Sequence, residues 1–229
     1  MASKKNKKAV EAQPTAIGEA VNRWEEFFEN HKNTVFGIMI AIVVIIAGSM
    51  IYNAKVVVPR QTRASEALYP GEALFVNGDY ETALNGDGAS YEGFEAVAKQ
   101  YGSTKAGKLA KLYAGICYAK LGNNEKAIEL LSKFNGKDQM VGPSALGTLA
   151  NCYAIAGDNA KAASTFESAA KKADNGLLSP YYYFQAALIY EAMEKPAQAL
   201  NLYKTIKVKY PESAEGQQAD KYIARLGGK

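Results

Sequence analysis

The chain has 229 residues, of which 48% are hydrophobic, and a net charge of +4 from 27 basic and 23 acidic residues. That charge is too mild to argue for a nucleic-acid surface, which needs a concentrated basic stripe. With one histidine (His31) and two cysteines (Cys117 and Cys152), the chain has no disulfide framework, no CxxC motif and little material for a zinc site or a histidine-based triad.

The N-terminus opens with Lys4, Lys5, Lys7 and Lys8, a solvated basic tail. Ile17, Ala20, Val21, Trp24, Phe27 and Phe28 then recur at helical spacing, with Glu19, Arg23, Glu25, Glu26 and Glu29 filling the other face. This pattern predicts an amphipathic helix within residues 1–34, with its aromatic rings at the level of lipid headgroups. The membrane-interface residues are Trp24, Phe27, Phe28 and Tyr52.

Residues 35–52 carry no charge. At about 1.5 Å per residue they cover roughly 27 Å, near the thickness of a bilayer's hydrocarbon core. The run has no polar stripe, so it does not read as the core helix of a soluble domain. It also exceeds the apolar length of a cleaved signal peptide, and no convincing Ala-x-Ala site follows it, so it reads as an uncleaved signal anchor. Six Lys and Arg precede the span and three closely follow it, which places the N-terminus in the cytoplasm. Counted only within about 20 residues of each end the ratio becomes two to three, which keeps the opposite orientation open. Residues 53–61, with Val56-Val57-Val58-Pro59, read as an extended linker.

Residues 62–229 are dominated by an internal repeat. Tyr118 and Tyr153 stand 35 residues apart, as do Gly122 and Gly157, and a further copy carries Ala187, Tyr190, Ala199 and Tyr203. An earlier copy shows Gly71, Leu74, Phe75, Gly78, Tyr80 and Ala83, and breaks after Leu84 at Asn-Gly-Asp-Gly-Ala-Ser. Asn175 to Leu178 lengthen the loop before the last copy, and residues 212–226 make a capping helix that turns Ala219, Tyr222, Ile223 and Leu226 inward. Asp79 and Asp87 with their glycines fit no EF-hand spacing and read as turn residues.

The small crossing pairs Gly115/Ala127, Ala150/Ala162 and Ala187/Ala199, with the aromatics Tyr118, Tyr153 and Tyr190, resemble the tetratricopeptide repeat family over roughly residues 62–211. The fold class is therefore all-α: one transmembrane helix followed by a tetratricopeptide-repeat solenoid with a C-terminal capping helix. In the register that the resemblance implies, a groove presents Ser65, Leu68, Phe75, Leu109, Leu112, Ile116, Asn151, Ile155, Tyr181, Phe184 and Leu188. Family members that clamp a terminal carboxylate use basic groove residues, and here only Asn151 matches. An apolar groove suits an amphipathic helix or an unfolded segment. Cys117 and Cys152, at equivalent places on neighbouring helices, read as buried free thiols.

The layout is similar to that of the YfgM-type inner-membrane proteins, and the runs Tyr80–Gly88 and Tyr113–Tyr118 look like members of that type from the Bacteroidetes. The resemblance implies a periplasmic repeat domain that handles exported proteins beside the Sec translocon, with translocon subunits, a periplasmic chaperone or unfolded clients as partners. The alternative is a cytosol-facing receptor for targeting peptides or chaperone tails. No GxSxG, phosphate-cradling glycine loop or HExxH motif occurs, so neither enzyme activity, a cofactor nor a small-molecule substrate is expected.

Overall fold

A computed structural model describes the backbone of residues 16–227 and the side chains of residues 24–227. The basic tail, and the side chains of Ile17, Glu19, Ala20, Val21 and Arg23, lie outside the described residues. The chain divides into two compact units, Met1–Val58 and Pro59–Lys229.

The first unit is built on α1 (Ala16–Tyr52). It is long and apolar enough to cross a membrane, and none of its apolar stretch is buried. Only His31 departs from helical geometry inside α1, with φ −120° and ψ 15°. Asn53–Val57 continue as a π-turn, and α2 (Val58–Val76) begins directly after it. The extended linker expected over residues 53–61 is thus helical instead. A short run of β-branched residues does not by itself separate strand from helix, and Pro59, which has no N–H to give to the preceding turn, stands directly after the wider π-turn.

The second unit is a stack of helix pairs. After α2 come α3 (Tyr80–Asn85), α4 (Phe94–Tyr101), α5 (Lys105–Lys120), α6 (Asn124–Leu131), α7 (Val141–Ile155), α8 (Asn159–Ala173), α9 (Ser179–Ala192), α10 (Pro196–Lys209) and α11 (Ala214–Arg225). The pairs are α5/α6, α7/α8 and α9/α10, with α11 packed on α10 and α9 as a cap. The second helices of the first three pairs open on the same local chemistry, whereas α10 starts at Pro196 without a side-chain cap. Asp79, Asn123 and Asp158 accept a hydrogen bond from the backbone N–H three residues on, at Thr82, Lys126 and Lys161. The glycine before each, Gly78, Gly122 or Gly157, takes a left-handed φ of 81–82° that glycine adopts without strain.

Close crossing explains the small residues. Ala83, Ala127, Ala162 and Ala199 are fully buried on the second helices. Opposite Ala127, a Cβ on Gly115 would lie 2.9 Å from the Leu131 side chain. The aromatics seal the seams: Tyr118 donates to Glu95 of the preceding pair, and Tyr190 donates to Glu167 at 2.8 Å, again 23 residues back.

In the first pair the second helix is split into α3 and α4. The Asp87 carboxylate accepts from the N–H groups of Ala89, Ser90 and Tyr91, each at 2.9 Å, and from the Ser90 hydroxyl. Tyr91 folds back so that its buried hydroxyl donates to Ala83 O at 2.8 Å, serving a carbonyl at the end of the broken helix. The insert therefore closes on itself as a turn, which matches the reading of Asp87 as a turn residue.

Candidate functional site: the first-helix face

Aligning the first helices on Gly78, Gly122, Gly157 and Glu194 shows which side chains the stack leaves uncovered. Glu194 occupies the glycine place in the last pair, with φ 57°. Four positions per helix, spaced i, i+4, i+7 and i+11, fall on one face.

On α2 these are Ser65, Tyr69, Glu72 and Val76, with Tyr69 74% and Val76 83% exposed. On α5 they are Leu109, Tyr113, Ile116 and Lys120, the first three half-buried. On α7 they are Ser144, Thr148, Asn151 and Ile155, of which Ile155 is 70% exposed. On α9 they are Tyr181, Gln185, Leu188 and Ala192, with Tyr181 and Leu188 exposed. The only charges in these rows are Glu72 and Lys120. Burial, with Glu72 beside it, raises the Tyr113 phenol above its ordinary value. The face is therefore apolar and neutral, with hydroxyl and amide groups concentrated on α7.

Of the groove residues expected from sequence, Ser65, Leu109, Ile116, Asn151, Ile155, Tyr181 and Leu188 occupy this face. The other four require correction. Leu68 and Leu112 are buried in the core. Phe75 packs on Tyr113, with centroids 4.9 Å apart, and edge-on against Tyr80 and Phe94 of the split helix. Phe184 is covered by the cap, 5.0 Å from the Tyr222 ring and 5.7 Å from that of Tyr203. Leu68, Leu112 and Phe184 share one repeat position, and at the same position in the third pair stands Gly147, where Tyr182 fills the space a Cβ would need. That row faces the neighbouring pair, so stacking buries it. Tyr69, Tyr113, Val76, Thr148 and Gln185 were missed. Tyr69, Tyr113, Thr148 and Gln185 stand at one common offset before Gly78, Gly122, Gly157 and Glu194, and Val76 stands before Gly78 as Ile155 stands before Gly157.

Cys117 and Cys152 are free and buried. Burial pushes the Cys117 thiol up to about 12 and raises that of Cys152, so both stay protonated and unreactive near neutral pH. Among the described residues no group of three or more His, Cys, Asp or Glu side chains is placed to hold a metal ion. Between the split helix and the second pair lies a pocket of about 640 Å³, lined by Glu92, Glu95, Lys99, Lys111, Ala114 and Leu130 among others. Its opposite charges sit together, and Glu95 is already engaged by Tyr118.

The architecture matches solved repeat proteins. A crystal structure of the MamA protein superposes with a TM-score of 0.51 at 19% identity, covering 71% of this chain and 89% of that one. A Podosopora anserina kinesin-light-chain-type protein with nearly identical TPR-like repeats gives 0.53 at 16% identity, covering 72% and 86%. The tetratricopeptide repeat model matches residues 109–137 and 181–213. The fold is a tetratricopeptide-repeat solenoid. No curated protein matches the chain in sequence. The repeats matched directly are the second and the fourth. In the third pair, Ser144, Thr148 and Asn151 make α7 the polar centre of the first-helix face.

Proposed function

We propose that the chain is a membrane-anchored protein-binding scaffold, and that its first-helix face receives an apolar segment of another protein, as an amphipathic helix or an unfolded stretch. One observation carries this reading. Tyr69, Val76, Ile155, Tyr181 and Leu188 are all left exposed on one repeat face that has almost no charge. Solenoids use such extended surfaces to hold partners, and a contiguous apolar patch on a soluble domain marks an interaction site. The face has no cluster of Lys and Arg, which argues against a terminal carboxylate as the anchor point.

The anchor is the apolar stretch of α1, and the N-terminal excess of Lys and Arg supports a cytoplasmic tail and a periplasmic repeat domain. In that setting the partners are proteins emerging from the Sec translocon, translocon subunits or a periplasmic chaperone. The near-end charge count of two to three supports the second reading, a cytosol-facing receptor for targeting peptides or chaperone tails.

A photo-crosslinking residue at Ile155 or Leu188, placed in the full chain in its native membrane, tests the face. Adducts to other proteins are expected from these positions and not from Ser168 on α8. Equal labelling from both faces, or none, rules out the groove. A C-terminal alkaline phosphatase fusion separates the two topologies. Activity supports export, and an inactive fusion with a fluorescent cytoplasmic reporter supports the receptor.

A further inference from the structure

We infer that residues 16–31 form a second membrane-bound element: an amphipathic helix that lies in the plane of the lipid interface and is joined to the span by a hinge at His31. The inference rests on the proposed anchor, that residues 35–52 cross a bilayer.

The hinge is visible in the backbone. His31 alone leaves helical geometry in α1, at φ −120° and ψ 15°. No proline or glycine stands there to cause it. The imidazole itself is bonded back to the preceding turn. Its Nδ1–H donates to Phe27 O at 3.1 Å, and the ring stacks on Phe27 with centroids 4.7 Å apart. At the edge of a hydrocarbon layer a bend persists only when backbone acceptors find partners inside the chain, and a side-chain donor supplies one here.

Distance then decides what the hinge accomplishes. If α1 ran straight along the bilayer normal, Trp24 would stand about 16 Å beyond Val35 at 1.5 Å per residue. The headgroup layer on each side is only about 5–8 Å deep. A straight helix would lift three aromatic rings into water. Trp24, Phe27 and Phe28 are 64%, 49% and 50% exposed, with their ring centroids 6.2–6.5 Å apart in one cluster. A turn at His31 lays that cluster into the headgroup layer and keeps Glu25, Glu26 and Glu29 on the water side.

The chain itself identifies the bilayer as the occupant of this face. A depression lined by Phe28, Glu29, Lys32, Val35, Phe36 and Met39 runs from the aromatic cluster past the hinge to the start of the span, with Phe28, Val35, Phe36 and Met39 as its apolar floor and one charge pair at its rim. Residues 16–32 carry Glu19, Glu25, Glu26 and Glu29 against Arg23 and Lys32. This helix, unlike the lysine run before it, therefore offers anionic headgroups no net attraction, and ring insertion into a zwitterionic interface drives its contact.

Trp24 is the only tryptophan in the chain, so its fluorescence reads this site alone. The full chain is reconstituted in phosphatidylcholine vesicles, and Trp24 emission is followed with lipids brominated at shallow or deep acyl positions and with aqueous iodide. Expected are a blue-shifted emission, stronger quenching by the shallow bromines than the deep ones, and protection from iodide. Adding phosphatidylserine should leave these readings unchanged. Water-like emission quenched by iodide, from chains that resist carbonate extraction, overturns the in-plane helix and leaves the anchor standing. Release of the chain by carbonate overturns the anchor and the inference with it. Trp24 exposed in vesicles but shielded in native membranes identifies a protein as the occupant and likewise overturns the inference.

Discussion

The Tyr203 hydroxyl donates to the Glu191 carboxylate at 2.6 Å, joining the two helices of the last repeat just beneath the capping helix. Tyr203 is fully buried, and the same carboxylate receives the Arg225 guanidinium of α11 at 2.7 and 2.6 Å. Arg225 also covers the Tyr222 ring at 4.8 Å, and Tyr222 stacks on Tyr203 at 4.9 Å. Burial, reinforced by Glu191, pushes the Tyr203 phenol far above its ordinary value, so this donor stays protonated at any physiological pH.

Replacing Glu191 with Leu leaves a buried hydroxyl without an acceptor and releases the guanidinium. Each buried donor left unpaired costs about 1–3 kcal/mol. Glu191→Leu should therefore lower the unfolding free energy of the detergent-solubilised chain, read from its urea titration, by about 1–3 kcal/mol, and adding Tyr203→Phe should recover part of the loss. An unchanged midpoint would show that the cap is held by apolar packing alone.

Glu194 bears a φ of 57° at the place where three other repeats use glycine. A left-handed conformation costs a residue with a Cβ about 1 kcal/mol or more. Glu194→Gly should raise stability by roughly that amount in the same urea titration, and Gly157→Ala should lower it comparably.

The crossing of α5 and α6 leaves no room for a methyl group. A Cβ on Gly115 would sit 2.9 Å from the Leu131 side chain and 3.3 Å from Leu130 Cβ. Gly115→Ala is expected to destabilise by about 1–3 kcal/mol, the usual effect of overpacking a fixed core. A gain in melting temperature would mean that the second helix slides freely, contrary to the packing described.

Alkaline pH should loosen the solenoid. Burial and the Glu167 hydrogen bond push the Tyr190 phenol up to about 12, against about 10 in an unfolded chain. A folded-state value above the unfolded one means that the contribution is intact below pH 10 and lost as pH climbs through 12. Tyr190→Phe should make the decline between pH 10 and 12 shallower by at most one proton's slope, measured as urea midpoints across that range.

The insert should respond at the acid end. Hydrogen bonds from Tyr91 N–H, Ala89 N–H and Ser90 hold the Asp87 carboxyl well below the usual carboxylate range. Its contribution is present above about pH 4 and lost as pH falls further, because the unfolded chain takes up the proton first. Amide exchange at Ala89, Ser90 and Tyr91 should accelerate selectively in acid relative to α5, and Asp87→Ala should show the faster exchange already at neutral pH.

Features that depend on near neighbours along the chain are written in its residue pattern. The apolar run of residues 35–52, the turn glycines Gly122 and Gly157, and the small crossing residues Gly115 and Ala127 were legible from local pattern, whereas the caps at Asn123 and Asp158 showed only in the folded backbone. The break after Leu84 and the capping helix were legible for the same reason. Tertiary structure alone decided the composition of the face. Leu68, Leu112 and Phe184 look as available as Leu109 or Leu188 in a single repeat. Whether a row is open depends on the angle at which the next helix pair stacks, and that angle is set by contacts such as Tyr113 on Phe75 and Tyr182 against Gly147. Tyr69 and Val76 lie in the same register as Ser65 before Gly78, and only the stack shows that nothing covers them. The bend at His31 was invisible as well, since no proline or glycine announces it and only the backbone dihedrals and the Phe27 carbonyl reveal it.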